Sequence, residues 1–410
     1  MQILQVTKKF PFPVRDGEAV AVGALARGLR QAGCRLDLLS FNTSKHYLED
    51  PEGADLPHYD QIATCELYND VTYAAVAVSL LRRGSYHVER FDSAELRIQL
   101  KTMLQLYEYD AVILETTILA RYIDTVRKFS NAVVVVRAHN LEYEIWDRVA
   151  DRQRWPARWV YRELARRLKN FERTSLPAAD LLLPITARDA DSFQEQLDYQ
   201  GALHTVPVGY ELDPVTTARL RPLADLKRSI SFIGSLDWAP NLEGLNWFLK
   251  EVWPLLHAAD PELEFHIAGR KTPDSIAGLG LDQVVVHGEV ADSSAFLAAH
   301  PLTVAPILSG SGIRVKILEA MAQGRVVLAT PMGLEGLQVQ DRQTVLVCDQ
   351  PTDFVRQLAW LYEDTARLAS IGLNAVETMG SNFDLARIGL KLAARITDCR
   401  RNRAVVSPPR

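Results

Sequence analysis

Short, nearly continuous apolar runs that alternate with helix-forming stretches constrain this chain more than any other feature of its sequence. Examples are Ala111–Glu115, Ala132–Ala138 and Leu181–Ile185, each followed by a helix-forming segment. Strands that are apolar at successive positions are covered on both faces, as in parallel sheets with crossover helices. The pattern therefore predicts an α/β protein with doubly wound parallel sheets.

The alternation is interrupted once, over Val206–Lys227, where three prolines fall in a stretch with little periodicity. Before it, further elements are predicted at Ile3–Val6 and Arg35–Phe41 (strands) and Glu18–Ala32 (helix). After it, strands are predicted at Ile230–Ile233, Leu263–Ala268, Val284–His287, Leu302–Pro306 and Val326–Ala329. We therefore expect one domain over residues 1–210, a second over residues 211–385, and a C-terminal helix and tail over residues 386–410 that returns to the first domain.

Composition excludes several classes of protein. The 410 residues include 46 basic and 51 acidic side chains, with 48% hydrophobic and 24% charged residues. These are ordinary values for a globular protein, and they exclude a disordered chain, a coiled coil and a collagen-like fibre. The net charge of −5 gives no general attraction to nucleic acid, so we expect no nucleic-acid partner.

Cysteine usage and apolar segments indicate the compartment. The four cysteines lie far apart in the sequence, which favours reduced thiols in a cytoplasmic protein over a disulfide framework. The N-terminus lacks the apolar segment of a signal peptide. The longest uncharged apolar run, Val71–Leu81, is much shorter than the ~20 residues of a membrane helix. We expect a cytoplasmic protein, either soluble or peripheral on the inner face of the membrane.

A glycine-rich loop, Ile307–Gly312, separates the predicted strand Leu302–Pro306 from a predicted helix, Ile313–Gln323. Such a loop presents backbone N–H groups and the positive end of the helix dipole to an anion. Arg314 is predicted in the first helical turn, where a cation opposes the dipole unless a phosphate lies there. The alternative is an ordinary loop and a helix with a plain Lys316–Glu319 pair.

His139 stands at the carboxyl end of the predicted strand Ala132–Ala138, where doubly wound sheets bind their ligands. By itself, a lone histidine at this point is more often an ordinary surface residue. Asn140 and Glu142 either orient His139 or cap the following helix, which is predicted over Leu141–Val149.

The first strand-to-helix turn contains Pro11 and Pro13 before Asp16 and Gly17. It lacks the G-x-G-x-x-G pattern of dinucleotide-binding folds, which argues against a dehydrogenase. Gly17 lets a backbone N–H approach a phosphate, while Asp16 is the expected N-cap. The pair in Asp189–Asp191 is interpreted as solvated carboxylates in the first turn of a helix, and no metal is expected.

The segment Arg148–Arg173 holds nine basic residues against three acidic ones, with Trp155, Trp159 and Tyr161 among them. Such a helix either docks on an anionic membrane surface or forms a solvated face whose tryptophans pack inward. The last predicted helix, Phe383–Arg403, is also basic, and the same two interpretations apply to it.

The segment Pro306–Thr330 resembles the second-domain signature of the retaining GT-B enzymes called glycosyl transferases group 1. It fits the subgroup with the pattern G-S-G-x-R-x-K-x-L-E-A-M-A-x-G. Further stretches fit the family in the same order: Phe10–Gly17, Arg137–Glu142, Phe232–Gly244 and His266–Arg270. The resemblance implies two Rossmann-like domains that face a central cleft.

The same resemblance implies a hexosyltransferase-type enzyme that needs no metal or other cofactor. It would transfer a sugar with retention from a nucleotide-sugar donor to a glycan or lipid-linked acceptor, as in the synthesis of cell-surface polysaccharides or glycoconjugates. His139 resembles the catalytic histidine, which contacts the transferred sugar or stabilises positive charge at the anomeric centre. Asn140 and Glu142 would orient it or bind acceptor.

For the donor, the resemblance implies that Glu319 holds the ribose and that Arg314 and Lys316 neutralise the leaving diphosphate. Because the diphosphate gains charge as the glycosidic bond breaks, these cations would stabilise the transition state more than the ground state. Donor binding is further implied at Gly17, Gly234, Gly269, Gly310, Ser311, Gly312 and Ile313.

The sequence departs from the family pattern at two places. Ser311 stands where the family has the first glutamate of its Glu-x7-Glu motif, and Ser235 and Asn241 lie near positions that often hold arginine and lysine. Arg314 and Lys316 are candidates to supply the missing charge. The alternative function is a non-catalytic member of the fold that binds a nucleotide or a glycan.

Overall fold

A computed structural model describes residues 1–14, 16–70, 72, 76, 78–80, 84–212, 228–309 and 314–406; at residues 365 and 404–406 it describes the backbone alone. The chain forms two compact units. The first comprises Met1–Gly209 together with Leu385–Arg410, and the second comprises Tyr210–Asp384. Each unit contains one six-stranded sheet whose paired strands are all parallel.

The sheet of the first unit has the strand order β3-β2-β1-β4-β5-β6. Its strands are β1 (Gln2–Thr7), β2 (Arg35–Thr43), β3 (Gln61–Leu67), β4 (Ala111–Glu115), β5 (Val133–Ala138) and β6 (Leu181–Pro184). The order reverses between β1 and β4, so the carboxyl ends of these two strands mark the point where a doubly wound sheet binds ligands.

Helices cover both faces of this sheet, and one apolar core lies on each side. They are α1 (Gly17–Gln31), α2 (Tyr86–Glu89), α3 (Ala94–Leu106), α4 (Ile123–Phe129), α5 (Glu142–Asp151), α6 (Ala157–Ser175) and α7 (Ala187–Leu197). Short 3-10 turns lie at Ser44–His46, Thr117–Tyr122 and Leu176–Ala178.

The sheet of the second unit has the order β12-β11-β10-β7-β8-β9. Its strands are β7 (Ser229–Ile233), β8 (Glu264–Ala268), β9 (Val284–Gly288), β10 (Leu302–Ala305), β11 (Val326–Ala329) and β12 (Leu346–Val347). Its helices are α8 (Ala239–Trp247), α9 (Trp253–Ala259), α10 (Asp274–Ala277), α11 (Ser293–Ala298), α12 (Val315–Ala322), α13 (Pro351–Glu363) and α14 (Thr365–Asn382), with a π-helical turn over Phe248–Val252. The doubly wound pattern is therefore repeated.

The last helix, α15 (Leu385–Val406), belongs to the first unit and packs along α1. The two helices approach closely at glycines. A Cβ atom on Gly389 would lie 1.9 Å from the carbonyl oxygen of Gly28, and one on Gly28 would lie 2.5 Å from the carbonyl oxygen of Leu385. Only the absence of side chains at these positions permits this contact.

Replacing Gly389 with alanine is therefore expected to destabilise the first unit by about 2 kcal/mol, because the backbones must separate to admit the methyl group. The midpoint of urea unfolding measures the effect. Gly23→Ala in α1 is the matched control, since its Cβ would meet only the flexible end of Arg27 at 3.4 Å. Equal midpoints for the two variants would contradict the contact.

The two interpretations of the basic segment differ in where they place its tryptophans. Trp155 is 84% exposed and Trp159 is 62% exposed, so the expectation that these side chains pack inward is wrong. The inward position beside α5 is taken by Tyr161, whose ring stacks on Trp146. A membrane-docking role for the segment stays a prediction.

Other expectations can be compared directly. All four cysteines are free and buried, as expected for reduced thiols. Within the part of the chain that the structure describes, no helix is both long and apolar enough to cross a bilayer.

Asp189 and Asp191 lie in the first turns of α7, which Thr186 caps by accepting a hydrogen bond from the Asp189 amide. Asp191 is exposed, but Asp189 is buried, so its expected solvation is wrong.

Candidate functional site

The structure provides a candidate site in each unit. In the first unit, β4 and β5 are neighbours, and Glu115, the last residue of β4, pairs in register with Arg137. His139 follows the end of β5, and its Nε2 lies 2.8 Å from Glu115 Oε2. Both side chains are buried. The histidine predicted from the sequence is thus held at a strand end by a carboxylate that the sequence analysis did not single out.

Glu115 is held from two further sides. Gln5 Nε2 donates to it, Tyr59 O–H donates in turn to Gln5, and the Arg137 guanidinium lies 3.5 Å away. Burial alone would raise the pKa of Glu115, but Arg137 and His139 hold it below its ordinary value. An ionised Glu115 accepts the Nε2 proton of His139 and so fixes the orientation of the ring.

The start of α1 carries a second group of charges. Asp16 is the N-cap, as predicted, and accepts a hydrogen bond from the Ala19 amide at 3.0 Å. Lys9 lies 2.5 Å from Asp16 and 3.4 Å from Glu18. Among the described residues, a Cβ atom on Gly17 would meet nothing within 4 Å. Donor binding at Gly17 stays a prediction.

Glu18 and Lys8 are functional candidates that the sequence analysis missed. Their side chains are 3.2 Å apart, and Lys8 also lies 3.5 Å from Glu142. Burial favours the neutral form of Glu18, but Lys8, Lys9 and His139 hold its pKa below the ordinary value. A network of ionised groups thus surrounds the predicted catalytic histidine.

The capping role considered for Asn140 and Glu142 is wrong. Helix α5 begins at Glu142, its N-cap is Leu141, and no side chain of the cap residue binds the first turn. Instead, the carboxylate of Glu172 in α6 accepts hydrogen bonds from two backbone amides, that of Glu142 at 3.2 Å and that of Tyr143 at 3.4 Å. A carboxylate from the next helix therefore performs the capping.

The side chain of Glu142 is thereby available for other contacts. It accepts a hydrogen bond from Thr116 Oγ1 at 3.1 Å, just beyond the end of β4, and pairs with Lys8. Thr116 itself has φ = 142°, a backbone conformation that side chains rarely adopt. Burial, together with the charge of Glu142, raises the pKa of Glu172 to about 8. Glu142 therefore belongs to the polar network at the strand ends, whereas Glu172 positions the helix.

In the second unit, the predicted donor residues Gly234 and Gly269 lie side by side after β7 and β8. A Cβ atom on Gly269 would lie 2.3 Å from the carbonyl oxygen of Gly234. Asn241 of α8 packs over Gly234 and donates to the carbonyl of Ser235 at 2.9 Å. Its Oδ1 accepts a hydrogen bond from Lys316 Nζ at 2.8 Å. Lys316 thus reaches a position near which the family often has a cation of its own.

The ammonium of Lys316 lies 4.6 Å from the centroid of the Phe232 ring. Burial, with the nearby charge of Arg314, lowers its pKa to about 7. The Arg314 guanidinium is buried and lies 5.4 Å from the centroid of the half-exposed Trp238 ring. The side chains of Lys316 and Arg314 are thus two basic groups buried near each other, an arrangement that an anionic ligand would stabilise.

Arg314 was predicted in the first turn of its helix, which is wrong by one residue. Helix α12 begins at Val315, and Arg314 is the N-cap with a non-helical backbone (φ −87°, ψ 88°). Its carbonyl oxygen accepts the Ile317 amide at 2.8 Å. The other loop residues predicted to bind donor, Gly310, Ser311, Gly312 and Ile313, lie outside the described residues.

Glu319 accepts a hydrogen bond from Ser293 Oγ at 2.6 Å. Burial and the neighbouring Asp292 raise its pKa above the ordinary value. Lys316 and Glu319 therefore have different partners, which argues against the alternative of a plain helical ion pair. A ribose-binding role for Glu319 stays a prediction.

Comparison with known sequences gives a family for part of the chain. Residues 227–364 match the family described as Glycosyl transferases group 1. A curated protein from Klebsiella pneumoniae, named "Uncharacterized 44.6 kDa protein in cps region", is 22% identical over 169 residues. The match spans 39% of this chain and 44% of that protein, so it covers less than half of either.

Solved structures resemble the whole chain. Sucrose-phosphate synthase from Thermosynechococcus elongatus has a TM-score of 0.66 at 18% identity, with 99% of this chain and 100% of that chain covered. HepE from Anabaena, in complex with UDP, has a TM-score of 0.64 at 16% identity, with 97% and 100% covered. These likenesses, with the two six-stranded parallel sheets, confirm the predicted GT-B fold.

Proposed function

We propose that this protein is a retaining glycosyltransferase whose second unit binds a nucleotide-sugar donor. The observation that carries the proposal is the place of Lys316, which lies beside the strand-end glycines with Arg314 nearby. The family match over residues 227–364 includes both cations, and similar structures were solved with UDP and with UDP-glucose. We therefore expect a diphosphate at these cations and the ribose at Glu319.

In the first unit, we propose that His139 contacts the transferred sugar. The ionised carboxylate of Glu115 fixes the ring and stabilises positive charge on it. The proposal requires no dedicated base, since the leaving diphosphate can take the proton of the acceptor hydroxyl. Asn140 and Glu142 are proposed to bind acceptor or to orient His139.

The remaining details of the proposal concern acceptor and location. A glycan or lipid-linked acceptor in polysaccharide synthesis is supported by the cps region named for the Klebsiella pneumoniae relative. We propose hexosyl transfer without a metal ion, in the cytoplasm or on the inner face of the membrane.

A second candidate is a non-catalytic binding protein of the same fold. It is favoured by the neutral Ser235 and Asn241 and by Ser311, which replaces the first glutamate of the family motif. Such a protein would bind a nucleotide or a glycan without turnover.

The test is a binding panel of UDP-, GDP-, ADP- and dTDP-sugars, measured by thermal shift and calorimetry. A donor at 100 times its Kd should stabilise the protein by ~2.7 kcal/mol. Arg314→Ala should abolish binding of the selected donor, whereas Arg356→Ala, an exposed arginine of the same unit, should preserve it. If no donor binds, or if Arg314→Ala binds normally, the proposed donor site is wrong. Binding without donor hydrolysis or transfer would favour the second candidate.

A further inference from the structure

The start of α6 and the residue Trp155 that precedes it form a surface that the candidate sites do not use. We call it the tryptophan–arginine surface, and it comprises Trp155, Arg158, Trp159, Arg162 and Arg166. Trp155 and Trp159 are 84% and 62% exposed. The arginine side chains are 51%, 53% and 70% exposed, in chain order. Two large apolar rings and three cations therefore face water together.

Helical spacing explains why these side chains share a face. Trp159, Arg162 and Arg166 recur at intervals of three and four residues along α6, so they lie on one side of the helix. The opposite side carries Leu164 and Leu168, which are buried in the first unit. Trp155 and Trp159 thus lie outside the apolar cores of the first unit. Packing therefore does not explain why these two positions hold tryptophan.

Charge on this surface differs in sign from charge on the whole chain. The segment that contains the surface, Arg148–Arg173, has nine basic and three acidic residues, whereas the net charge of the protein is −5. Asp151 pairs with Arg158 and Arg162, and Glu163 pairs with Arg166 and Arg167. These carboxylates neutralise only part of the positive charge, so the surface is complementary to an anionic partner.

We propose that the tryptophan–arginine surface docks on an anionic phospholipid bilayer. Indole rings prefer the interface between headgroups and acyl chains, where the apolar ring is buried and the N–H stays hydrated. Arginines beside them bind lipid phosphates, and together these groups form an interfacial anchor. The inference deepens the proposed function by naming the bilayer as the place of a lipid-linked acceptor, but it does not depend on turnover.

The test is co-sedimentation of the full chain with vesicles of equal parts phosphatidylglycerol and phosphatidylcholine, without any sugar donor. Trp155→Ser with Trp159→Ser is expected to weaken partitioning roughly tenfold. Ile98→Ser with Leu106→Ser is the matched control, because these α3 side chains are 65% and 68% exposed. The control should partition like the unchanged protein.

Charge is tested separately on the same vesicles. Arg158→Glu with Arg166→Glu should weaken partitioning at least about 25-fold, at about fivefold for each arginine lost. Arg35→Glu with Lys250→Glu, at exposed positions elsewhere, should have little effect. The unchanged protein should also bind pure phosphatidylcholine much more weakly.

Several outcomes would overturn the inference. These are equal binding by the tryptophan variant and its control, equal binding to neutral and anionic vesicles, or no vesicle binding by the unchanged protein. Self-association that requires the tryptophans, without vesicle binding, would assign the surface to a second copy of the chain. Melting temperatures of all variants verify folding. A donor-binding result from the panel above distinguishes failure of this inference from failure of the proposed function.

Discussion

Replacing His139 with alanine is expected to lower the turnover number by about 100-fold to 1,000-fold, the usual effect of losing one group that stabilises the transition state. The ring is buried at the end of β5, and its Nε2 lies 2.8 Å from Glu115, so its orientation is fixed before substrate arrives. Donor affinity should stay within about threefold of normal, because the nucleotide contacts proposed at Arg314, Lys316 and Glu319 all lie in the second unit. Steady-state kinetics combined with calorimetry separates the two effects.

The matched control is His204→Ala, a half-buried histidine of the same unit outside the polar network. It should retain normal turnover. If His139→Ala also retains turnover, the proposed role of His139 is wrong. Should both variants lose activity together with a large fall in melting temperature, the effect would be structural. In that case His139→Asn, which conserves size and polarity, decides between the two explanations.

Much of the fold was predictable because the buried strands are nearly continuous apolar runs. The bounds predicted for Ala111–Glu115 and Val326–Ala329 are those of β4 and β11. Strand β3 was missed, since it lies at a sheet edge, is only partly buried, and includes Gln61 and Glu66. Strand β3 therefore lacks the two-sided burial on which the prediction depended, whereas β6, at the opposite edge, is buried throughout and was predicted.

The candidate sites were predictable only where residues adjoin a motif. His139, Arg314 and Lys316 were found because each stands at a strand end or in a recognisable segment. The capping of α5 by Glu172 joins residues 30 positions apart, and no local pattern indicates it. Glu115 left a signal that went unused, since it is a charged residue at the end of an otherwise apolar run.

The bond between Lys316 and Asn241 spans 75 positions. It changes the meaning of the departures from the family pattern. In the sequence, the neutral Asn241 indicates that a positive charge of the family pattern is missing. In the fold, however, the ammonium of Lys316 donates a hydrogen bond to the Asn241 side chain. The positive charge near the ends of β7 and β8 is therefore greater than the residues adjacent to these strands in the sequence indicate.

Because the pKa of Lys316 is lowered from 10.5 to about 7, we expect donor affinity to depend strongly on pH. The free protein loses the Lys316 proton as pH rises through about 7, whereas a bound diphosphate favours the charged form. Donor binding should therefore take up a proton, and Kd should increase about tenfold per pH unit above pH 7 while being nearly constant below it. Calorimetry with an intact nucleotide-sugar, in buffers of different ionisation enthalpy, measures both quantities.

Three variants isolate the contribution of Lys316. Lys316→Met should weaken donor binding by about 10-fold to 100-fold at pH 6.5, as expected for one charge-assisted hydrogen bond, and should show no rise in Kd above pH 7. Lys316→Arg should also lack the pH dependence, because a guanidinium stays protonated throughout. Lys250→Met, at an exposed position of the same unit, should behave like the unchanged protein. A donor Kd that is independent of pH in the unchanged protein would contradict the assignment.

The same pKa fixes the sign of an effect on stability. Between about pH 7 and pH 10.5, the unfolded chain holds the Lys316 proton and the native protein does not. The contribution of Lys316 to the free energy of unfolding therefore rises with pH over this range, in the absence of ligand. A saturating donor should abolish that contribution, since it restores the proton in the native state and both states then hold it. A rise with pH that is present without donor, absent with saturating donor and absent in Lys316→Met would locate the anion at this ammonium rather than at Arg314 alone.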